Sequence, residues 1–297
     1  MFVEMKPWYK STLFSNVLRL SVTALLIWMV SKRVNLHDIA AIFRTASPGW
    51  LAMAIIIYGS SLFVSSHRSA IYLSGIGILL TPWAALGLYM KGTVYNVLLP
   101  GGIGGDGYKI LVLRTKEGPA VKQIFQAFFF ERLSGLWAIC ALLCILNNAM
   151  LSNPILPPFW LWLVLGVGTS AYFIIVRLYF SDHAPYFLRT HLMSLGIQTL
   201  VSLAVICILR SQPMPVAYGP YLLSFHGSTI FSILNIGLSG LGVREFAMGY
   251  AAQLLQNDAA LSVFVASAFW LVSTITAIPG LFFLFVKGER KKDSTQN

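Results

Sequence analysis

Apolar stretches of about 18 residues or more, the length a helix needs to cross the hydrocarbon of a bilayer, recur along this chain from near its first residue to near its last. They leave little for water to solvate. Of the 297 residues 57% are hydrophobic and 10% are charged, whereas a soluble domain carries about a quarter charged residues. Such a chain cannot cover a water-facing surface of its own size. The runs are apolar all round rather than alternating at period two, which excludes a transmembrane β-barrel. The fold class is therefore all-α integral membrane, a helical bundle, with residues 1–297 as a single transmembrane domain.

The net charge is +11. In a soluble protein that balance raises nucleic acid as a partner, but basic residues gather in the cytoplasmic loops of membrane proteins. No nucleic-acid role is expected, and the basic flanks favour anionic lipid head groups instead. Cys140, Cys144 and Cys207 lie inside apolar runs, with neither zinc-site spacing nor a disulfide framework. No metal and no cofactor is expected. Lys6 and Lys10 precede the first apolar run, but no small-residue cleavage site closes it, so it reads as a retained span rather than a signal peptide.

Full spans are expected at about 13–30, from Trp50 to near His67 and Arg68, and at about 123–146, 159–176, 192–209 and 259–286. Between the first two, Leu36, Ile39, Ala40 and Phe43 fall at i, i+3, i+4 and i+7, the spacing of a short amphipathic helix lying at the interface. It stops at Pro48 and Gly49, where Trp50 acts as an interfacial anchor.

Two further apolar segments are broken by glycine, at about 83–111 and 220–256. Residues 96–107 read NVLLPGGIGGDG and residues 235–246 read NIGLSGLGVREF. Aligned on Gly102 and Gly240, each break follows an asparagine, Asn96 or Asn235, by six or five residues. Three full spans separate the two segments, so they enter from opposite faces. The architecture expected is about six full spans plus two re-entrant broken-helix hairpins forming an inverted repeat, the arrangement in which broken helices meet near the midplane and bind a substrate. With both termini cytoplasmic, the inner face holds thirteen basic residues, among them Arg68, Lys109, Arg114, Arg177 and the tail at 287–297, and the outer face holds Lys32, Arg33, Arg44 and Arg210. That asymmetry places both termini in the cytoplasm of an inner-membrane protein.

Non-helical backbone inside a membrane must be buried in protein or line a wet cavity. Glycine permits the turns and close approach that such a break needs, and the amides it frees suit phosphate. A glycine pair alone would signify close helix packing. Here Asp106 and Lys109 stand beside one break, and Arg244 and Glu245 beside the other, which favours a binding site. Gly102, Gly104 and Gly107 also satisfy G-x-G-x-x-G, but no strand precedes them, so the dinucleotide motif is excluded. Glu131 and Arg132 sit inside the span FFFERLSGLW, where a charge costs roughly 2.5–3.5 kcal/mol. About 100° separates adjacent helical residues, so these two should seek partners elsewhere: Lys109 or Arg244 for Glu131, and Asp106 or Glu245 for Arg132. The candidate substrate-binding residues are Asn96, Pro100, Gly101, Gly102, Gly104, Gly105, Asp106, Lys109, Glu131, Arg132, Gly240, Gly242, Arg244 and Glu245. Lys91 is a weaker candidate; Arg19 and His226 read as a snorkelling cation and a hydrogen-bonded core histidine.

With those residues in place, the chain resembles the lysylphosphatidylglycerol synthase transmembrane family, also called flippase-like, the membrane half of the multiple peptide resistance factor. The resemblance rests on NVLLPGGIGGDGYKILVLR (96–114), FFFERLSGLW (128–137) and SGLGVREFAMGY (239–250). They correspond to the family's Leu-Pro-Gly-Gly-x-Gly-Gly-Asp loop at 99–106, its acidic-Arg pair at Glu131–Arg132 and its Gly-x-Gly-x-Arg-Glu loop at 240–245. The resemblance implies movement of a phospholipid or other polar-headed lipid between leaflets. The soluble synthase domain of bifunctional relatives has no counterpart after Val286, so no enzyme activity and no catalytic residue is expected. The alternatives are a membrane enzyme using Asp106, Glu131 and Glu245 as acid–base or metal groups, or an accessory subunit. In the second case the partner is a separately encoded lipid-modifying enzyme or glycosyltransferase.

Overall fold

The computed structural model describes Trp28 and residues 36–98, 104–114, 119–150, 154–233 and 242–285. Among these residues the chain is helical throughout, without a strand. In order the helices are α1 (Leu36–Thr45), α2 (Pro48–Gly75), α3 (Pro82–Leu98), α4 (Gly104–Leu113), α5 (Val121–Ala149), α6 (Pro158–Tyr179), α7 (Phe187–Arg210, led by a single 3₁₀ turn), α8 (Tyr218–Ile233), α9 (Val243–Leu254), α10 (Ala259–Ala277) and α11 (Pro279–Phe285). Their ends obey local chemistry. Proline, which needs no N–H at a helix start, opens α2 and α6. Asp258 caps α10 by accepting from the Leu261 amide at 2.7 Å, as short carboxylates do at helix starts.

Five helical stretches are long and apolar enough to cross a membrane: Pro48–Gly75, Val121–Ala149, Pro158–Tyr179, Ala184–Arg210 and Ala259–Leu284. They match five of the six spans expected from sequence. The first, at 13–30, lies outside the described residues apart from Trp28, and the tail at 287–297 lies outside them entirely. The protein is a multi-pass membrane protein.

Two expectations need correcting. The span beginning at Trp50 does not stop at His67 and Arg68 but continues to Gly75. Arg68 is buried inside the bundle, together with Ser61, Ser65, Ser66 and Ser69 on the same helix. A polar stripe facing protein rather than lipid does not end a span. The last span is not one helix. It breaks at Pro279, whose ring and missing N–H interrupt the helical ladder. Beyond the break Gly280 lies so near α3 that an added Cβ would sit 2.6 Å from the Met90 carbonyl.

α2 packs along α7, and α5 packs on both. One apolar core gathers α2, α7, α8 and α10 around Val205, Ile208, Phe225, Phe264 and Phe269, and the amphipathic α1 lies against it through Ile42 and Phe43. A second core, around Tyr72, Leu73, Ile124, Phe128 and Val176, joins the end of α2 to α3, α4 and α5. α6 stands apart with Val176 as its buried residue, and its outward side chains, such as Phe159, Val164, Val167 and Leu178, are exposed and apolar. That is a lipid-facing helix.

The four remaining helices pair off. α3 packs on α4, and α8 on α9. With 17, 10, 16 and 12 residues, each is about 15–26 Å long and falls short of the roughly 30 Å hydrocarbon thickness. The glycine-rich connections at 99–103 and 234–241 lie outside the described residues.

Candidate functional site

Tyr89, Gly92, Thr93 and Asn96 repeat at three- and four-residue intervals and so occupy one face of α3. Opposite them α4 presents Asp106 and Lys109, α5 presents Phe128, Glu131 and Arg132, and α2 contributes Arg68. Together these ten residues line one cavity of about 160 Å³. Glycine makes the α3–α4 approach feasible. A Cβ on Gly105 would collide with the Gly92 carbonyl and lie 2.7 Å from Asn96 Oδ1. With hydrogen there instead, the Gly105 amide donates to Asn96 Oδ1 at 2.9 Å. The asparagine before the break thus satisfies a free amide at the start of α4.

Five ionised side chains surround the cavity. Asp106 bridges two cations: Lys109 Nζ approaches its Oδ1 at 2.9 Å, and Arg132 Nε donates to its Oδ2. Lys109 also sits over the rings of Phe128 at 4.3 Å and Tyr89 at 5.2 Å, faces that attract a cation. Glu131 pairs with Arg68 at 3.6 Å. Arg68 Nη1 donates to Ser194 Oγ at 2.6 Å, and Ser194 in turn donates to the Thr190 carbonyl at 2.7 Å. Among the described residues two buried atoms here have no hydrogen-bond partner, Arg68 Nε and Glu131 Oε2. Three cations face two carboxylates, leaving one positive charge in excess.

Arg132 therefore meets Asp106, one of the two partners sequence suggests for it. Glu131 does not pair with Arg244. Its ion-pair partner is Arg68, with Lys109 near enough to interact electrostatically.

Arg244 and Glu245 build a separate cluster at the start of α9. Gly242 adopts φ +86°, a backbone region closed to most side chains. Its amide donates to Glu245 Oε2 at 2.7 Å, so Glu245 caps its own helix rather than reaching Arg132. The Arg244 guanidinium lies 4.8 Å from the Phe225 ring and 5.0 Å from Phe269, with its Nε buried and without a hydrogen-bond partner among the described residues. His226, fully buried nearby, holds Ser202 Oγ at 2.8 Å through Nε2. Tyrosines connect the two clusters. Tyr58 packs edge-on to Phe269 at 5.1 Å, within electrostatic reach of both Arg244 and Tyr89, and Tyr89 lies beneath Lys109.

Of the residues singled out from sequence, Asn96, Asp106, Lys109, Glu131 and Arg132 come together at the cavity, and Gly104 and Gly105 open the helix that carries two of them. Gly242, Arg244 and Glu245 form the second cluster. Pro100, Gly101, Gly102 and Gly240 lie outside the described residues. Lys91 is half-buried on α3 and is not among the residues lining the cavity. Sequence reasoning missed Arg68, Tyr89, Gly92, Thr93 and Phe128. The signal was present in the helical polar stripes Ser61-Ser65-Arg68-Tyr72 and Tyr89-Thr93-Asn96.

No curated protein matches the chain significantly. A family profile does match, described as the lysylphosphatidylglycerol synthase TM region, over residues 16–190. That range covers more than half of the chain and includes the whole of the cavity, with Arg68, Tyr89, Asp106, Lys109, Glu131 and Arg132. From the match and the helices that carry it, the chain belongs to the lysylphosphatidylglycerol synthase transmembrane-region family.

Proposed function

We propose that this protein is a lipid flippase or scramblase that moves a polar- or phosphate-headed lipid between leaflets. The observation that carries the reading is the cavity between α3, α4 and α5, with an excess positive charge and two unpartnered buried atoms of opposite character. Leaving a buried donor or acceptor unmade costs about 1–3 kcal/mol, more for charged groups. Arg68 Nε suits a phosphate oxygen, and Glu131 Oε2 suits an ammonium or hydroxyl. The volume of about 160 Å³ is below the roughly 300–1,000 Å³ of sites that enclose a whole small molecule. It fits a head group whose acyl chains stay in the bilayer.

In this reading α3–α4 and α8–α9 are re-entrant hairpins entering from opposite faces among six full spans. The protein sits in the inner membrane with both termini cytoplasmic. The head group crosses between the Lys109 and Arg244 clusters along Tyr89 and Tyr58. Asp106 and Glu131 act by holding cations in place rather than by proton transfer or metal binding, because each already faces a cation.

Reconstitution tests this. Purified protein in vesicles carrying fluorescent phosphatidylglycerol, lysylphosphatidylglycerol or phosphatidylethanolamine should accelerate leaflet exchange of at least one of them. Unchanged exchange across the panel by folded protein would overturn the reading. A covalently altered lipid would replace it with an enzymatic one.

A further inference from the structure

An arginine beside a buried carboxylate ordinarily closes a fork on it, with two parallel N–H bonds to the two oxygens. Arg68 and Glu131 make only half of one. Nη2 faces Oε1 at 3.6 Å, while Nε and Oε2, the atoms that would complete the fork, have no hydrogen-bond partner among the described residues. The guanidinium is planar and rigid, so whatever holds its other corner decides where Nε points. That corner is Nη1, which donates to Ser194 Oγ at 2.6 Å. The Glu131 contact is longer than a hydrogen bond, so the short contact is the one to Ser194. It comes from α7, which contributes nothing to the cavity lining.

The surroundings of Ser194 make it an acceptor. It is fully buried, and its one hydroxyl proton goes to the Thr190 carbonyl of its own helix at 2.7 Å, nearer than Ser134 Oγ at 3.1 Å. Lone pairs are then what it presents to α2. One helical turn along, Tyr72 donates to Thr190 Oγ1 at 2.9 Å. Arg68 and Tyr72 on α2 thus meet Ser194 and Thr190 on α7, each pair spaced to share one helix face. The second contact ties the same two helices together without involving the cavity.

We infer that Ser194 is the positioning residue for Arg68: from outside the cavity it draws the guanidinium out of a closed fork with Glu131 and leaves Nε as the donor for a head-group phosphate. The inference rests on the transport reading and adds the residue that sets the geometry of the anion contact. Without Ser194 Oγ the guanidinium turns onto Glu131, Nε joins Oε2, and the open donor and acceptor satisfy each other. The cavity keeps its charges but loses its free donor.

Two variants separate orientation from packing. Ser194→Ala removes the acceptor of Arg68, and Tyr72→Phe removes the neighbouring hydrogen bond between the same helices while sparing Arg68. In protein labelled with heavy-nitrogen arginine, the Arg68 Nε–H resonance is identified by its absence from Arg68→Lys. It should shift in Ser194→Ala and stay in place in Tyr72→Phe. In vesicles, Ser194→Ala should raise the mole fraction of phosphatidylglycerol that gives half-maximal exchange by about tenfold and keep the maximal rate. That factor is the lower end of what a hydrogen bond to a charged group contributes. Tyr72→Phe should match the wild type in half-saturation. An unmoved Nε–H signal in Ser194→Ala, or unchanged half-saturation in a protein that exchanges lipid, would overturn the inference. If the wild type exchanges no lipid, the transport reading fails, and the Nε–H signal alone decides whether Ser194 orients Arg68.

Discussion

Arg68 on α2 and Glu131 on α5 meet at 3.6 Å inside the bundle, with 9% and 8% of their side chains exposed. Neither pairs completely, since Arg68 Nε and Glu131 Oε2 find no hydrogen-bond partner among the described residues. A buried ion pair is weak evidence for stability, because desolvation can exceed the attraction. In the proposed function, the donor and acceptor that this pair leaves open beside the cavity serve the lipid head group. Its neighbours agree: Lys109 and Arg132 share the single carboxylate of Asp106.

Removing either member of the buried pair should therefore damage folding as well as function. Glu131→Ala leaves Arg68 uncompensated in a dry interior, which costs about 3–5 kcal/mol. The expected result is a large drop in unfolding temperature, measured in detergent by the loss of monodisperse protein on heating. The double change Arg68→Met with Glu131→Leu should recover most of that loss while leaving lipid exchange absent. A double variant as unstable as the single one would show that the pair does not act as a unit.

The packing of α3 on α4 depends on hydrogen at one position. Gly105→Ala drives a methyl into the Gly92 carbonyl and the Asn96 amide that caps α4. Overpacking of that kind costs typically about 1–3 kcal/mol, with the cap lost in addition. Gly107→Ala, two residues on in the same helix with nothing within 4 Å of the added methyl, is the matched control and should leave stability unchanged. Comparable unfolding temperatures for the two variants would show that the close approach is not required.

Arg244 should be irreplaceable by lysine. Its guanidinium lies close to Phe225 and Phe269, and a planar group stacks on such faces where a compact ammonium does not. Arg244→Lys should insert and fold yet lose most lipid exchange, close to Arg244→Gln. Exchange retained by lysine would show that only charge matters there.

A pH dependence of stability follows from His183, outside the spanning segments. It is 4% exposed with Nδ1 unpartnered, packed on Phe130 at 4.9 Å and Tyr72 at 5.9 Å. Burial holds its imidazole below the ordinary histidine value, against the opposing pull of the neighbouring Asp182 carboxylate. The folded state therefore binds its proton less readily than the unfolded one, whose pKa is about 6.5. Stability from this group is present above that pH and declines as pH falls below it. Unfolding temperature should drop between about pH 7.5 and 5.5, from one side of that pKa to the other, and the drop should shrink in His183→Gln. An unchanged slope in that variant would contradict the assignment.

Much of this was legible in the sequence, because bilayer physics writes itself into composition. The spans at α2, α5, α6, α7 and α10–α11 follow from apolar length, and α1 from its heptad-like spacing. The cost of an intramembrane charge gave Arg132 two candidate partners, Asp106 and Glu245, and the structure pairs it with Asp106. Arg68 was missed for the same reason others were found. At the edge of an apolar run a basic residue resembles a snorkelling anchor, and only its serine neighbours at Ser61 and Ser65 reveal an inward face. Glu245, the other alternative for Arg132, is engaged instead by a capping contact three residues away. The contact between Tyr58 and the Arg244 cluster is tertiary, and no local pattern encodes it.

The central claim is that the cavity around Arg132 handles the head group of a lipid in transit. Its most direct measurement is leaflet exchange of labelled phosphatidylglycerol in vesicles holding equal amounts of wild-type and Arg132→Ala protein. The wild type should speed exchange well above empty vesicles, and Arg132→Ala, equally well inserted, should return it to the empty-vesicle rate. Equal exchange by the two proteins would contradict the account.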